Sequence, residues 1–332
     1  MQQSNSSWPP ITMTTGTPGP AHCDVSNWTA SHLMPIIYSL VFSLGLPGNI
    51  LALVVLCRRG GRLKAAMRVY LLNLTVADVL FTLTLPVWVS YYSLQEDWLF
   101  HEAACRVIGA LYYVTTYCTI SFLTIISINR YRSLSLTPPC LPMLKKRGAA
   151  IICALTWLTW LACAAPSLAV PQTRREAGRV QCFRDVDPRL ALAACCVFVV
   201  SFLAVLASYL SVLGSLGQHP TGQGAHRRRA KARVQGMLLL FLGCMLPYHI
   251  TLAMWALQQP RPLCPSLAHR LSTVLLSATS CLDPFVYCFS LKCFRAEVYK
   301  LLVTRSSGQE AHSVWWAGPG KEPRSSPGTL SS

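Results

Sequence analysis

Two carboxylates stand in otherwise apolar stretches: Asp78 within VYLLNLTVADVLFTLTLP and Asp283 within LLSATSCLDPFVYCF. A carboxylate in apolar surroundings costs several kcal/mol unless it is paired or hydrogen-bonded. Two such acids could act as a general acid and base, or give oxygen ligands to a hard cation. A second set is aromatic and basic: Trp88, Tyr91, Tyr112, Tyr113, Thr116, Tyr248 and His249, with Arg270. Tyr112 and Thr116 are spaced i, i+4 and Trp88 and Tyr91 i, i+3, so each pair shares a helix face. Aromatic faces attract a quaternary ammonium by cation–π interaction. Arg270, with Arg174, Arg175, Arg179 and Arg184, would draw in a phosphate or carboxylate. Ordinary interhelical packing is the competing use of the aromatics. A third feature is Asn129-Arg130-Tyr131, which ends a run without charge that starts at Val107.

Hydrolytic chemistry lacks its parts. The sequence has no HExxH for a catalytic zinc, and the apolar runs hold no Ser/His constellation. No lysine lies in 267–290, where a Schiff base to retinal would need one. Inverted repeats of the kind found in transporters are also absent. The chain is therefore expected not to be an enzyme and to need no cofactor.

These residues must be positioned by elements that live in lipid. The 332-residue chain is 52% hydrophobic and only 12% charged, with a mean hydropathy of +0.40. A water-coated domain carries about 25% charged residues. Segments apolar and long enough to cross about 30 Å of hydrocarbon are predicted near 34–57, 69–92, 105–131, 149–170, 190–214, 234–257 and 267–290. Five of them contain proline: Pro47, Pro86, Pro166, Pro247 and Pro284. With the N-terminus outside, most of the 29 Lys and Arg fall in the inner loops and tail. The net charge of +17 thus reads as positive-inside bias and attraction to anionic lipid, not as a nucleic-acid surface.

The N-terminal stretch lacks the basic and apolar regions of a cleavable signal peptide. It carries sequons at Asn5 and Asn27, expected to be glycosylated if the tail faces outward. Four cysteines fall on the predicted outer side: Cys23, Cys105, Cys182 and Cys264. Four allow three pairings. Pairing Cys105 with Cys182 would pin the 171–189 loop over the bundle and leave Cys23 to join Cys264.

The spans carry a set of ordered motifs: Gly48-Asn49, NLTVAD ending at Asp78, Cys105 with Asn129-Arg130-Tyr131, Trp157, Phe241 with Cys244-Met245-Leu246-Pro247, and Asp283-Pro284-Phe285-Val286-Tyr287. In this order the chain resembles a rhodopsin-like (class A) G-protein-coupled receptor over roughly residues 34–305. Within the family, MPIIYSLVFSLG, LTLPVWVSYY, TTYCTISFL and DPFVYCF are similar to the branch of lipid-mediator and nucleotide receptors. The resemblance implies an all-α membrane protein, a seven-transmembrane helix bundle with a short amphipathic eighth helix. Its expected organisation is a glycosylated tail over 1–33, a receptor domain over 34–291, the eighth helix over 292–303 and a disordered cytoplasmic tail over 304–332.

Further roles follow from the resemblance. It implies a ligand pocket open to the outside between spans two, three, six and seven, for a lipid-like small-molecule agonist, with an anionic mediator such as a nucleotide as the alternative. It implies a sodium site at Asp78, Thr119, Ser280 and Asp283. It implies that a heterotrimeric G protein meets Arg130 when the inner half of span six swings outward, with Tyr209 and Tyr287 holding that arrangement. Phe241, packed against span three, and Met245, where the family usually has tryptophan, belong to this switch with Pro247 and Pro284. Serines of the tail, Ser306 and Ser307 among them, would be targets of receptor kinases feeding arrestin. Asn129 replaces the acid that ordinarily restrains the arginine after it. A loose resting clamp and measurable basal signalling are expected.

Overall fold

The structure, a computed structural model, describes residues 29–59, 64–132, 145–176, 178–182, 187–217, 232, 234–258, 267–286 and 299. Cys23, Cys264, Asn5, Asn27, Arg184, Tyr287, the segment 292–303 as a helix and both tails lie outside the described residues.

Seven long helices are present among the described residues. A π turn over Thr29–Leu33 leads into α1, Met34–Arg59; α2 is Ala65–Ser93, α3 Glu102–Arg132 and α4 Lys146–Ala169. A hairpin of β1, Thr173–Glu176, and β2, Arg179–Cys182, precedes α5, Pro188–Gly217. Then come α6, Val234–Leu257, and α7, Leu267–Pro284. Six of these helices are apolar and long enough to cross a membrane; α7 carries His269, Arg270 and Asp283 and is more polar. At 1.5 Å per residue, the 29 residues of α2 extend about 44 Å, well past the hydrocarbon. That excess explains why α2 to α5 each begin or end a few residues beyond the predicted spans. Glu102, Lys146 and Arg132 continue a helix where water or headgroups solvate their charge.

Lipid contact shows in what the helices leave uncovered. Ile36, Leu40 and Leu44 on α1, Leu155 and Leu158 on α4, and Val200 and Leu203 on α5 are exposed. Water would not tolerate so continuous an apolar belt. The inward faces meet in one large cluster running from Ala52 and Leu74 through Phe122 and Leu123 to Phe241 and Met245. Polar side chains fasten it. Asn49 Nδ2 donates to the Gly45 carbonyl at 3.0 Å and, across to α7, to the Ser280 carbonyl at 2.8 Å. Trp157 Nε1 donates to Asn73 Oδ1 at 3.0 Å, and Trp160 Nε1 to Ser121 Oγ at 3.0 Å, so α4 is tied to α2 and α3. Gly236 lets α6 approach α7: a Cβ there would lie 3.0 Å from Val286 Cγ1.

One local feature marks span six. A π turn over Phe241–Met245 precedes Pro247, with the Leu246 N–H reaching the Phe241 carbonyl. Pro247 has no N–H, and its ring would press on the carbonyl four residues back. Widening the preceding turn relieves that contact.

Candidate functional site

The end of the bundle that carries the hairpin is laced shut by charge. Cys105, at the start of α3, is joined by a disulfide to Cys182 at the end of β2. Glu102 Oε1 accepts from Arg106 Nε at 2.8 Å and the Gln172 N–H at 2.6 Å. Its Oε2 accepts from the Thr173 N–H at 3.0 Å and from the Thr173 hydroxyl. On the other side Asp97 Oδ1 accepts from the Val180 N–H at 2.9 Å, and the Trp98 N–H donates to the Val180 carbonyl at 2.7 Å. Arg179 donates to the Gln95 carbonyl and to Gln95 Oε1. Glu102 and the 94–98 turn anchor the hairpin, a role that sequence reasoning missed. Their only sequence signal was charge at a span end.

The eight residues expected to line a single ligand pocket take up several positions in the bundle. Trp88 and Tyr112 form an aromatic wall: Trp88 stacks on Tyr92 at 6.1 Å and meets Tyr112 edge-on at 5.8 Å, and Tyr112 packs on Phe81 at 5.3 Å. Tyr38 of α1 joins it, 5.8 Å from Tyr92. Tyr91 is buried with Trp98 against the Cys105–Cys182 disulfide, and its ring also meets Trp88 at 6.0 Å and Tyr92 at 5.2 Å at the edge of that wall. Tyr113 turns toward α4, its ring 6.0 Å from Trp160 and 4.6 Å from Tyr117. Thr116 lines a cavity deeper in the bundle. His249 also sits inside, stacked on Phe198 of α5 at 4.0 Å. Its Nδ1 lies 2.8 Å from the Met245 carbonyl, so Nδ1 carries the proton; Nε2 faces the Tyr117 hydroxyl at 3.4 Å. Tyr248 packs on His269 of α7 at 5.7 Å. Adjacent residues of a helix point about 100° apart, which separates Tyr112 from Tyr113 and Tyr248 from His249.

Arg270, expected to draw in an anion, is buried, 3% exposed, and holds an ion pair with Glu96 of the 94–98 turn. The Glu96 side chain is 15% exposed. Tyr38 and Tyr92 lie within electrostatic reach of the guanidinium. A buried cation, its internal anion and an aromatic wall therefore share the hairpin end of the bundle.

Below them is the deeper cavity, lined by Asp78, Phe81, Thr116, Thr119, Met245, Leu276, Thr279 and Ser280, with about 20 Å³ of room for water centres, space for one water or a bare monovalent ion. Asp78 is 2% and Asp283 1% exposed. Asp78 Oδ1 accepts from Thr119 Oγ1 at 3.3 Å, and neither oxygen of Asp283 has a hydrogen-bond partner among the described residues. Asp283 is not part of the cavity wall, but it lies close enough for its charge to act on Asp78. Two buried carboxylates close enough to feel each other's charge, with hydroxyl oxygens in the cavity wall, fit a small hard cation, as a charge of opposite sign would offset their desolvation. Asp78, Thr119 and Ser280 would hold it, with Asp283 behind.

Of the expected switch residues, Asn129, Arg130 and Tyr131 lie at the opposite end, half-buried in the last turns of α3. Asn129 Nδ2 donates to the Ile125 carbonyl at 3.1 Å, so it bonds to its own helix. Nearby, Ser127 Oγ donates to Met237 Sδ, linking α3 to α6. Phe241 is fully buried in the cluster that also holds Leu123 of α3, and its ring stacks on Phe198 of α5 at 5.9 Å. Met245 lies at the end of the π turn and in the wall of the Asp78 cavity, so the widened turn of α6 touches that cavity directly. Pro284 is buried beside Asp283, and Tyr209 is half-buried on α5.

Seven helices, a disulfide from α3 to the hairpin, a carboxylate pair in the core and an arginine at the far end of α3 describe a receptor of one kind. The chain belongs to the rhodopsin family of seven-transmembrane receptors, whose family profile, described as 7 transmembrane receptor (rhodopsin family), matches residues 48–287. Among individual proteins it is similar to the platelet-activating factor receptor of Cavia porcellus, 33% identical over 306 residues that cover 85% of this chain and 89% of that one. It is also similar to G-protein coupled receptor 183 of Bos taurus, 30% identical over 305 residues, 84% of each chain. The human protein of that name is 29% identical over 328 residues, 91% of this chain and 89% of its own. The chain is thus a multi-pass plasma-membrane receptor that couples to G proteins, and not an enzyme.

Proposed function

We propose that this receptor responds to an extracellular phospholipid mediator, platelet-activating factor or a close relative of it. The observation that carries this reading is the buried Arg270 beside the Trp88, Tyr92 and Tyr38 aromatics. A guanidinium suits a phosphate, and aromatic faces suit a quaternary ammonium. The likeness to the Cavia porcellus receptor supports the same ligand class. In this reading the hairpin end faces outward, with Asn5 and Asn27 glycosylated, and Arg130 at the other end meets the G protein. A sodium ion at Asp78 and Asp283 favours the resting bundle, and outward movement of the inner half of α6 opens the coupling groove. Receptor kinases and arrestin act on the serine-rich tail.

A second reading, a nucleotide or other anionic mediator, draws on the exposed Arg174, Arg175 and Arg179 of the hairpin. A panel of phospholipids and nucleotides applied to cells expressing the chain, read as both calcium and cAMP, separates the two. The phospholipid reading requires a response to an alkyl-acetyl-glycerophosphocholine. A response to nucleotides alone rejects it.

A further inference from the structure

The Arg270–Glu96 pair joins α7 to the α2–α3 turn across 174 positions of sequence. Its two partners are not equivalent. Arg270 is 3% exposed, whereas Glu96 is 15% exposed and covers it from the hairpin end. Glu96 is delivered by an unusual backbone: Gln95 and Glu96 have φ of 57° and 65°, the left-handed region that non-glycine residues seldom occupy. The turn keeps that conformation because it is braced on three sides. The Gln95 and Glu96 N–H groups return to the Tyr92 and Tyr91 carbonyls, Arg179 grips Gln95, and Asp97 and Trp98 bond to Val180. Strain of this kind, held by the surroundings, is found at ligand clamps and switch regions. Around the pair stand Tyr92, on which Trp88 stacks, and Tyr38.

Electroneutrality decides what can enter. A buried ion pair is tolerated because each charge answers the other, and removing one partner leaves the remaining charge strongly disfavoured. A ligand that brings only a phosphate can take Arg270, but it strands the Glu96 carboxylate near the site and beside the incoming anion. A ligand that brings a phosphate and a quaternary ammonium replaces both halves: phosphate on Arg270, ammonium on Glu96 with the Trp88 and Tyr92 faces.

We propose that the Arg270–Glu96 pair is an exchangeable internal salt that selects zwitterionic over purely anionic ligands, with Glu96 as the specificity-determining residue. This rests on the phospholipid reading above and adds the reason that a phosphocholine head is preferred to a bare phosphate. It also makes Glu96 part of the resting state, since it holds the place of the ligand phosphate until exchange.

The test measures binding by thermal stabilisation of the receptor purified in a non-ionic maltoside detergent, which contributes no phosphate. The probes are an alkyl-acetyl-glycerophosphocholine, the phosphate monoester with the same tail, and a nucleoside diphosphate. In the parent the phosphocholine form is expected to bind at least about 30-fold more tightly than the monoester. Glu96→Gln should cut that preference about tenfold or more, through tighter binding of the monoester. Glu96→Gln combined with Arg270→Gln leaves no buried charge unpaired, so it avoids the folding cost of an orphan. It should weaken phosphocholine binding about tenfold and bring the two lipids within about threefold. A preference within threefold of the parent's in Glu96→Gln, or parental phosphocholine affinity in the double variant, overturns the exchange and leaves the phospholipid reading standing. A parent that binds neither lipid, whether or not the nucleoside diphosphate binds, overturns the phospholipid reading and the exchange with it.

Discussion

Replacing Asn129 by aspartate restores the acid that this chain lacks beside Arg130, and its effect can be worked out from the local contacts. Asn129 now donates to the Ile125 carbonyl at 3.1 Å, so its side chain makes a helix bond and brings no negative charge to the neighbouring guanidinium. Both residues are half-buried. An ion pair at such a position contributes about 0.5–1 kcal/mol, because solvent screens it and two side chains lose freedom. The carboxylate also gives up the bond to Ile125, which for a solvated side chain costs less than about 0.5 kcal/mol. The net gain for the resting state, at most about 1 kcal/mol, converts to a fall in basal activity of up to about fivefold. The assay is GTPγS binding to membranes without agonist, scaled to receptor number. Asn129→Ala serves as the control: it loses the same helix bond but adds no charge, so basal activity should stay within about twofold of the parent. A parent indistinguishable from mock-transfected membranes, or an aspartate variant as active as the alanine one, would refute the reasoning.

The Asp78 cavity and the hairpin give the remaining predictions. If the Asp78 cavity holds sodium, replacing KCl by NaCl should lower agonist affinity several-fold in the parent, and Asp78→Asn should abolish the difference while leaving surface expression intact. An equal sodium effect in the variant would place the ion elsewhere. Glu102 receives three hydrogen bonds from Gln172 and Thr173 besides Arg106, and its side chain is 31% exposed. With charged hydrogen bonds discounted for that exposure, Glu102→Ala should loosen the start of the hairpin by about 2 kcal/mol. Amide hydrogen exchange at Gln172 and Thr173 should then quicken about 30-fold, with α3 unchanged. Unaltered protection would show that the disulfide alone seats the hairpin.

Hydropathy and motif order were enough to determine that the chain threads a membrane seven times and belongs among receptors. Crossing a bilayer depends on the local run of side chains, and a local property is legible without knowing what a helix touches. The same holds for Asp78 and Asp283, since a carboxylate in an apolar run is conspicuous wherever it ends up. What the sequence left open was rotation and partnership. Tyr112 and Tyr113, or Tyr248 and His249, look alike in a string, and only the packed bundle sends one to the aromatic wall or α7 and the other to α4 or α5. Arg270 read as a waiting cation because Glu96 lies 174 positions away, in a turn whose left-handed backbone no composition reveals. The π turn in α6 likewise needed neighbours to accommodate it. Burial and charge pairing are settled by which segments meet, and that meeting exists only in the tertiary structure.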